Sequence, residues 1–198
     1  MDEGFDLAMM LASRICHDLI SPVGAIGNGV ELLGMTGLAG SPELTLVGDS
    51  VKNAEARIKF FRIAFGQADA NQSVGEREIA STLADYYAAS KTTLLWPPTG
   101  PVARQDLRAI FLSLLCLETE LAFGGTVDVM GTSGESWVMT ARAERTRGEE
   151  PAWAAMAARS REGLSPAMLQ FALLPLALDA LDRTLRVARD DTEITIAF

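Results

Sequence analysis

Residues 16–33 read CHDLISPVGAIGNGVELL, and His17, the one histidine of the chain, stands near the start of that stretch. Read outward in both directions, apolar or small residues recur at Ala8, Ala12, Ile15, Leu19, Pro22, Ile26, Val30 and Leu33, in steps of three or four. That spacing lines one face of a helix and predicts a bundle helix from Phe5 onward. Pro22 interrupts the pattern, because it lacks a backbone N–H, and predicts a kink near His17. At about 100° per residue, His17 falls about 180° from the apolar seam. It shares the solvent face with Asp6, Met10, Ser13, Arg14, Ser21, Gly24, Asn28 and Glu31. An exposed imidazole on a rigid helix offers a ring nitrogen as a nucleophile near neutral pH. An incidental surface histidine would occupy the same position.

Beyond Leu33, the segment Gly34–Pro42 (GMTGLAGSP) carries three glycines and reads as a turn, with Ser41 as N-cap and Pro42 at the first position of the next helix. A second seam then runs through Leu44, Val47, Val51, Ala54, Ile58, Phe61, Phe65 and Ala68 at heptad spacing. Two helices with one apolar stripe each bury little between themselves. A second copy completing a four-helix bundle solves this, as does packing on the rest of the chain. The polar stretch Asp69–Gly75 (DANQSVG) marks a domain boundary, giving 1–70 as the hairpin and 76–198 as a second domain.

After the boundary the sequence predicts a helix over 76–90, a strand over 92–96 stopped by Pro97 and Pro98, and a helix over 104–123 ended by Gly124 and Gly125. A hairpin of strands 126–130 and 136–143 comes next, then a short helix over 151–159, a longer one over 166–188 and a closing strand over 192–198. Helices alternating with hairpin strands define an α+β fold whose sheet is covered on one face.

Composition removes several functions. The formal net charge of −9 gives no general attraction to phosphate backbones or anionic lipid, which argues against nucleic acid and membrane as partners. The chain begins MDEGFD, acidic where an export signal needs positive charge, and no apolar run approaches the roughly 20 residues of a spanning helix. One histidine and two distant cysteines, Cys16 and Cys116, are too few for a His/Cys zinc site. These features predict a cytoplasmic protein with reduced thiols and no bound metal or cofactor.

The stretch from His17 to Leu33 resembles the phosphoacceptor box of histidine kinases. The matching elements are His17 followed by acidic Asp18, Leu19, Pro22, the pair Ala25-Ile26, and Glu31-Leu32-Leu33. In that family the histidine projects from the first helix of a dimeric four-helix bundle, with the proline five residues later. The resemblance implies His17 as phosphoacceptor and Asp18 as the acid that orients or deprotonates it. Ser21 stands where many kinases carry a Thr or Asn that positions water, and Ile20-Ser21 replaces a more basic or polar pair; both are departures.

Helix and strand order beyond Glu76 resembles the ATP-binding domain of those kinases, without its chemistry. The helix that should offer asparagines reads AIFLSLLCLETELAFGG, with Leu112 and Cys116 near the expected positions. A DxGxG loop is replaced by ERTRGEEPAW, and Gly163 stands alone where a second glycine-rich loop belongs. An intact histidine bundle beside a degenerate ATPase-like α/β sandwich resembles the ChpT-like histidine phosphotransferases. That resemblance implies relay of a phosphoryl group between receiver domains of a hybrid kinase and of response regulators, with Mg²⁺ brought by the receiver. The docking face would run through Met10, Ser13, Arg14, Ser21 and Gly24. The rival readings are a non-catalytic docking module and an ATP-dependent kinase.

Overall fold

The computed structural model describes residues 3–35, 41–97 and 99–198, and of 3–9, 11 and 13 the backbone alone. The expected turn over Gly34–Pro42 therefore falls largely on 36–40, outside the described residues, as does Pro98.

Helix α1 (Glu3–Leu33) and helix α2 (Pro42–Phe65) form the hairpin, α1 continuing through Pro22 as one helical element. Ser41 caps α2, its Oγ accepting from the Leu44 N–H at 3.1 Å, with Pro42 opening the helix. The two helices meet through small residues. A Cβ at Gly27 would lie 3.3 Å from Val51, and one at Gly48 would lie 3.5 Å from Val30.

Within the single chain this contact buries a different face from the predicted seams. In α1 the side turned inward holds Cys16, Gly27 and Val30, while Ile15, Leu19, Ile26 and Leu33 stay exposed. In α2 the buried side chains are Ala56, Phe60, Ile63 and Ala64, roughly opposite the heptad stripe. They join the core of the second lobe. Phe60 stacks on Tyr86 at 3.9 Å and lies 4.4 Å from Phe111.

The second lobe comprises β1 (Ser73–Val74), α3 (Glu76–Tyr87), β2 (Thr92–Leu95), β3 (Val102–Ala103), α4 (Arg104–Glu120), β4 (Gly125–Gly131), β5 (Trp137–Arg142), α5 (Glu150–Ala157), α6 (Leu169–Asp179), β6 (Arg186–Arg189) and β7 (Glu193–Ala197). Strands β2-β4-β5-β7-β6 form one sheet, with β2 parallel to β4 and the other neighbours antiparallel. Along β5, Trp137, Met139 and Ala141 are buried and alternate with the less buried Val138, Thr140 and Arg142, so one face of the sheet is covered. The covering helices bring Leu107, Ile110, Phe111 and Leu114 from α4 and Phe171, Leu174 and Leu178 from α6. The architecture is α+β, as the order of elements predicts.

Three elements differ from expectation. The helix predicted over 166–188 is a short 3₁₀ turn, then α6, which stops at Asp179, and then the edge strand β6. The polar stretch 69–75, expected as a linker, contains β1, paired antiparallel to β3. The helix predicted to Phe123 ends at Glu120, and Gly124 takes the left-handed φ of +99° just beyond it.

Candidate functional site

One helical step separates two side chains with opposite fates. Cys16 is buried, and burial pushes its thiol up, the charge of Arg62 on α2 opposing part of that shift. His17, a step of about 100° further round, has a side chain 84 % exposed.

The imidazole is not unattended. Its Nδ1 lies 3.1 Å from Asp18 Oδ1. The other carboxylate oxygen, Oδ2, accepts from Arg14 Nε at 2.6 Å. The hydrogen bond from Arg14, seconded by that from His17, holds the Asp18 carboxyl below the usual carboxylate range. Asp18 is therefore a carboxylate at neutral pH and can only accept. A hydrogen bond at 3.1 Å then requires the proton on His17 Nδ1, which leaves the Nε2 lone pair free toward solvent.

The other residues of the predicted docking face have different surroundings. Ser21 is exposed. Met10 is exposed at the mouth of a cavity of about 410 Å³, lined also by Gln67, Asp69, Gln105, Arg108 and Leu181, where the hairpin meets the second lobe. Gly24 lies at the border toward α2, half-buried, where an added Cβ would come 3.8 Å from Glu55 Oε1. The side chain of Ser13 lies outside the described residues. The contact between Arg14 and Asp18 is not among the sequence expectations, although an Arg and an Asp four apart on a helix are its signal.

In the second lobe, Leu112 and Cys116 are fully buried, and burial raises the Cys116 thiol well above its ordinary value. The loop reading ERTRGEEPAW leads into α5, and its donors are already engaged. Gly148 N–H and Glu149 N–H donate to the Glu120 carboxylate at 2.6 and 2.9 Å, and Trp153 Nε1 donates at 2.6 Å. Glu120 is fully buried there, its two carboxyl oxygens accepting from the backbone donors just before α5. Among the described residues no group of three or more His, Cys, Asp or Glu side chains gathers as a metal site, and no helix is long and apolar enough to cross a membrane.

A helical hairpin presenting one outward imidazole, joined to an α/β lobe whose helices cover one face of a mixed sheet, defines a two-lobed α+β protein with an exposed histidine. The comparisons agree. Residues 76–193 match the model of the histidine phosphotransferase C-terminal domain. The chain is 37 % identical over 113 residues to the protein phosphotransferase ChpT of Brucella abortus (strain 2308), a match covering 57 % of this chain and 54 % of that protein. The chain thus spans about half the length of that curated relative. A solved bacterial phosphotransferase shares the fold with a TM-score of 0.70 at 24 % identity, covering 100 % of this chain and 96 % of that one. The chain belongs to the ChpT-like histidine phosphotransferase family.

Proposed function

We propose that this protein relays phosphoryl groups between the receiver domains of a hybrid histidine kinase and of response regulators in a two-component phosphorelay, with His17 Nε2 as the carrier atom. The observation that carries the reading is the pairing of an exposed Nε2 with an Nδ1 tied to Asp18. Acceptance begins when the Nε2 lone pair attacks the phosphorus of a receiver's aspartyl phosphate. The N–P bond forms as the P–O bond breaks, and the electron pair leaves with the receiver's carboxylate. The ring, keeping its proton on Nδ1, becomes cationic beside the Asp18 carboxylate, which offsets the charge as it develops. Donation to a second receiver reverses these steps. Transfer of this kind depends on positioning and charge neutralisation, and the Mg²⁺ that assists it belongs to the receiver.

The receiver docks across the face of α1 around His17, on Met10, Ser13, Ser21 and Gly24, with Arg14 engaged by Asp18 instead and the protein acting as a homodimer through its hairpin. The second lobe works without ATP. Two features support this: the Glu120 carboxylate takes the backbone donors that a phosphate would use, and the helix that would offer metal-binding asparagines offers buried Leu112 and Cys116 instead.

The test is incubation with a receiver phosphorylated on aspartate, followed by measurement of acid-labile phosphate on this chain. His17→Ala is expected to abolish acceptance while changing stability by less than about 0.5 kcal/mol, as for other exposed positions. A variant that is still phosphorylated at the wild-type rate overturns the assignment.

A further inference from the structure

We propose that Arg14 is a positioning residue for the transfer, acting through Asp18 to fix the proton on His17 Nδ1 and so present Nε2 to the receiver. The proposal rests on the reading of His17 as the phosphoryl carrier and assigns to Arg14 a role other than contact with the partner.

Helix geometry alone does not bring Asp18 to His17. Neighbours one apart on a helix point about 100° away from each other and do not face one another. Both side chains are also exposed, so water competes for every donor and acceptor they carry. A third group is needed to hold the carboxylate back toward the imidazole. Arg14 precedes His17 by three residues and Asp18 by four, and both separations place side chains side by side on a helix. Its bearing around the helix axis falls between theirs. The observed contacts match that placement. Arg14 Nε donates to Asp18 Oδ2, and the carboxylate, drawn to that side, turns Oδ1 to His17 Nδ1. The arrangement has the logic of a base oriented by a carboxylate, extended by one residue that orients the carboxylate. Exposed ion pairs of this type contribute little to stability, so the contact has little to offer the fold, and the arrangement it imposes lies at the reacting ring.

His17 is the one histidine of the chain, so its ring nitrogens give uncontested signals in ¹⁵N-resolved NMR of this 198-residue chain. At alkaline pH, where the ring is neutral, the wild type is expected to show the proton predominantly on Nδ1. Arg14→Gln is expected to yield a mixture of the two tautomers, and Arg14→Lys, which keeps a cation within reach of Asp18, is expected to restore most of the Nδ1 form. Circular dichroism confirms that each variant is folded. In transfer from a phosphorylated receiver, Arg14→Gln is expected to lower kcat at least about tenfold with KM for the receiver unchanged. A tautomer ratio unmoved by Arg14→Gln overturns the proposal, as does a rise in KM at constant kcat, which would make Arg14 a docking contact. Should the wild type accept no phosphoryl group at all, the relay reading fails by itself. The tautomer ratios still decide whether Arg14 governs the ring.

Discussion

At position 17 the outward direction of the imidazole was legible from helical period alone, because the residues that share its bearing are mostly polar and the apolar seam lies about 180° away. What was not legible was the state of the ring. That depends on the direction in which an exposed carboxylate turns, and the sequence records only that Arg14 and Asp18 stand four apart. The same limit applies to buried acids. Glu118 looks like an ordinary polar residue of α4, yet it is half-buried, with its carboxyl turned to Tyr86. Tyr86 donates to its Oε2 at 3.0 Å, while Oε1 and the Tyr87 hydroxyl are buried without a hydrogen bond of normal geometry. Burial raises the Glu118 carboxyl above its ordinary value, more than the tyrosine hydroxyls lower it. The folded state thus keeps its proton in a window where the unfolded chain has lost it, and stability falls as pH rises through that window. Glu118→Gln, which has no charge to bury, is expected to escape this loss. Urea unfolding should find the variant gaining on the wild type between about pH 4.5 and about pH 8. A stability difference that is the same at both values would show that the Glu118 carboxyl titrates alike in the folded and unfolded states.

Among the elements, α2 shows how far periodicity reaches. A heptad reading selects one stripe, and Leu44, Val47, Val51 and Ile58 do form one. The helix also turns Ala56, Phe60, Ile63 and Ala64 into the second lobe, and a single-stripe template has no place for that face. The end of α2 is fixed from the far side of the sequence. Arg104 Nη1 and Nη2 donate to the carbonyls of Ile63 and Arg62, at 2.8 and 2.7 Å, and Arg108 Nη2 donates to the Gly66 carbonyl at 3.1 Å. The Arg62 carbonyl also accepts from Gly66 N–H, whereas the Ile63 carbonyl is one of those left open at the negative end of the helix, here met by a buried cation. Burial, with the nearby Arg108 and Arg62 charges, pulls the Arg104 guanidinium down to about 10, which leaves it charged at neutral pH. Removing it in Arg104→Ala is expected to cost about 2–3 kcal/mol, the range for hydrogen bonds to a charged group plus an unmet carbonyl. Hydrogen exchange at residues 60–66 should accelerate in parallel. An unchanged unfolding midpoint would mean that water caps α2 as well as the guanidinium does.

The missed boundary of α6 has an equally local cause. The helix ends with Asp182 at φ +53° and a bond from Arg183 N–H to the Leu178 carbonyl. That closure is usually marked by a glycine, and α5 ends the same way with Arg159 at φ +52°. With no glycine to read at either end, the sequence runs the helix on through β6, whose own residues, Arg-Val-Ala-Arg, are all exposed and carry little strand signal.

At the scale of the whole molecule, the hairpin is unfinished as a single chain. Once α1 and α2 have met through Cys16, Gly27, Val30, Gly48 and Val51, and α2 has met the second lobe, α1 still exposes Ile15, Leu19, Ile26 and Leu33, and α2 exposes Leu46 and Val47. The residues on α1 recur at steps of four or seven and so form one continuous stripe, the pattern that a facing helix covers. A contiguous apolar face of this kind is uncommon on a monomer, and the same face on a second copy is self-complementary about a two-fold axis. Covering it by a second copy leaves His17 outward on each protomer, since its bearing is about 180° from that stripe. If a second copy covers the stripe as proposed, Ile26→Asp is expected to dissociate that dimer, because an unpaired carboxylate inside the bundle would cost about 3–5 kcal/mol. The three tryptophans, Trp96, Trp137 and Trp153, all stand in the second lobe, so their near-ultraviolet dichroism should stay as in the wild type. Sedimentation equilibrium distinguishes the outcomes. A wild-type dimer that Ile26→Asp converts to a folded monomer supports the four-helix arrangement, and a wild type that sediments as a monomer at assay concentrations removes it.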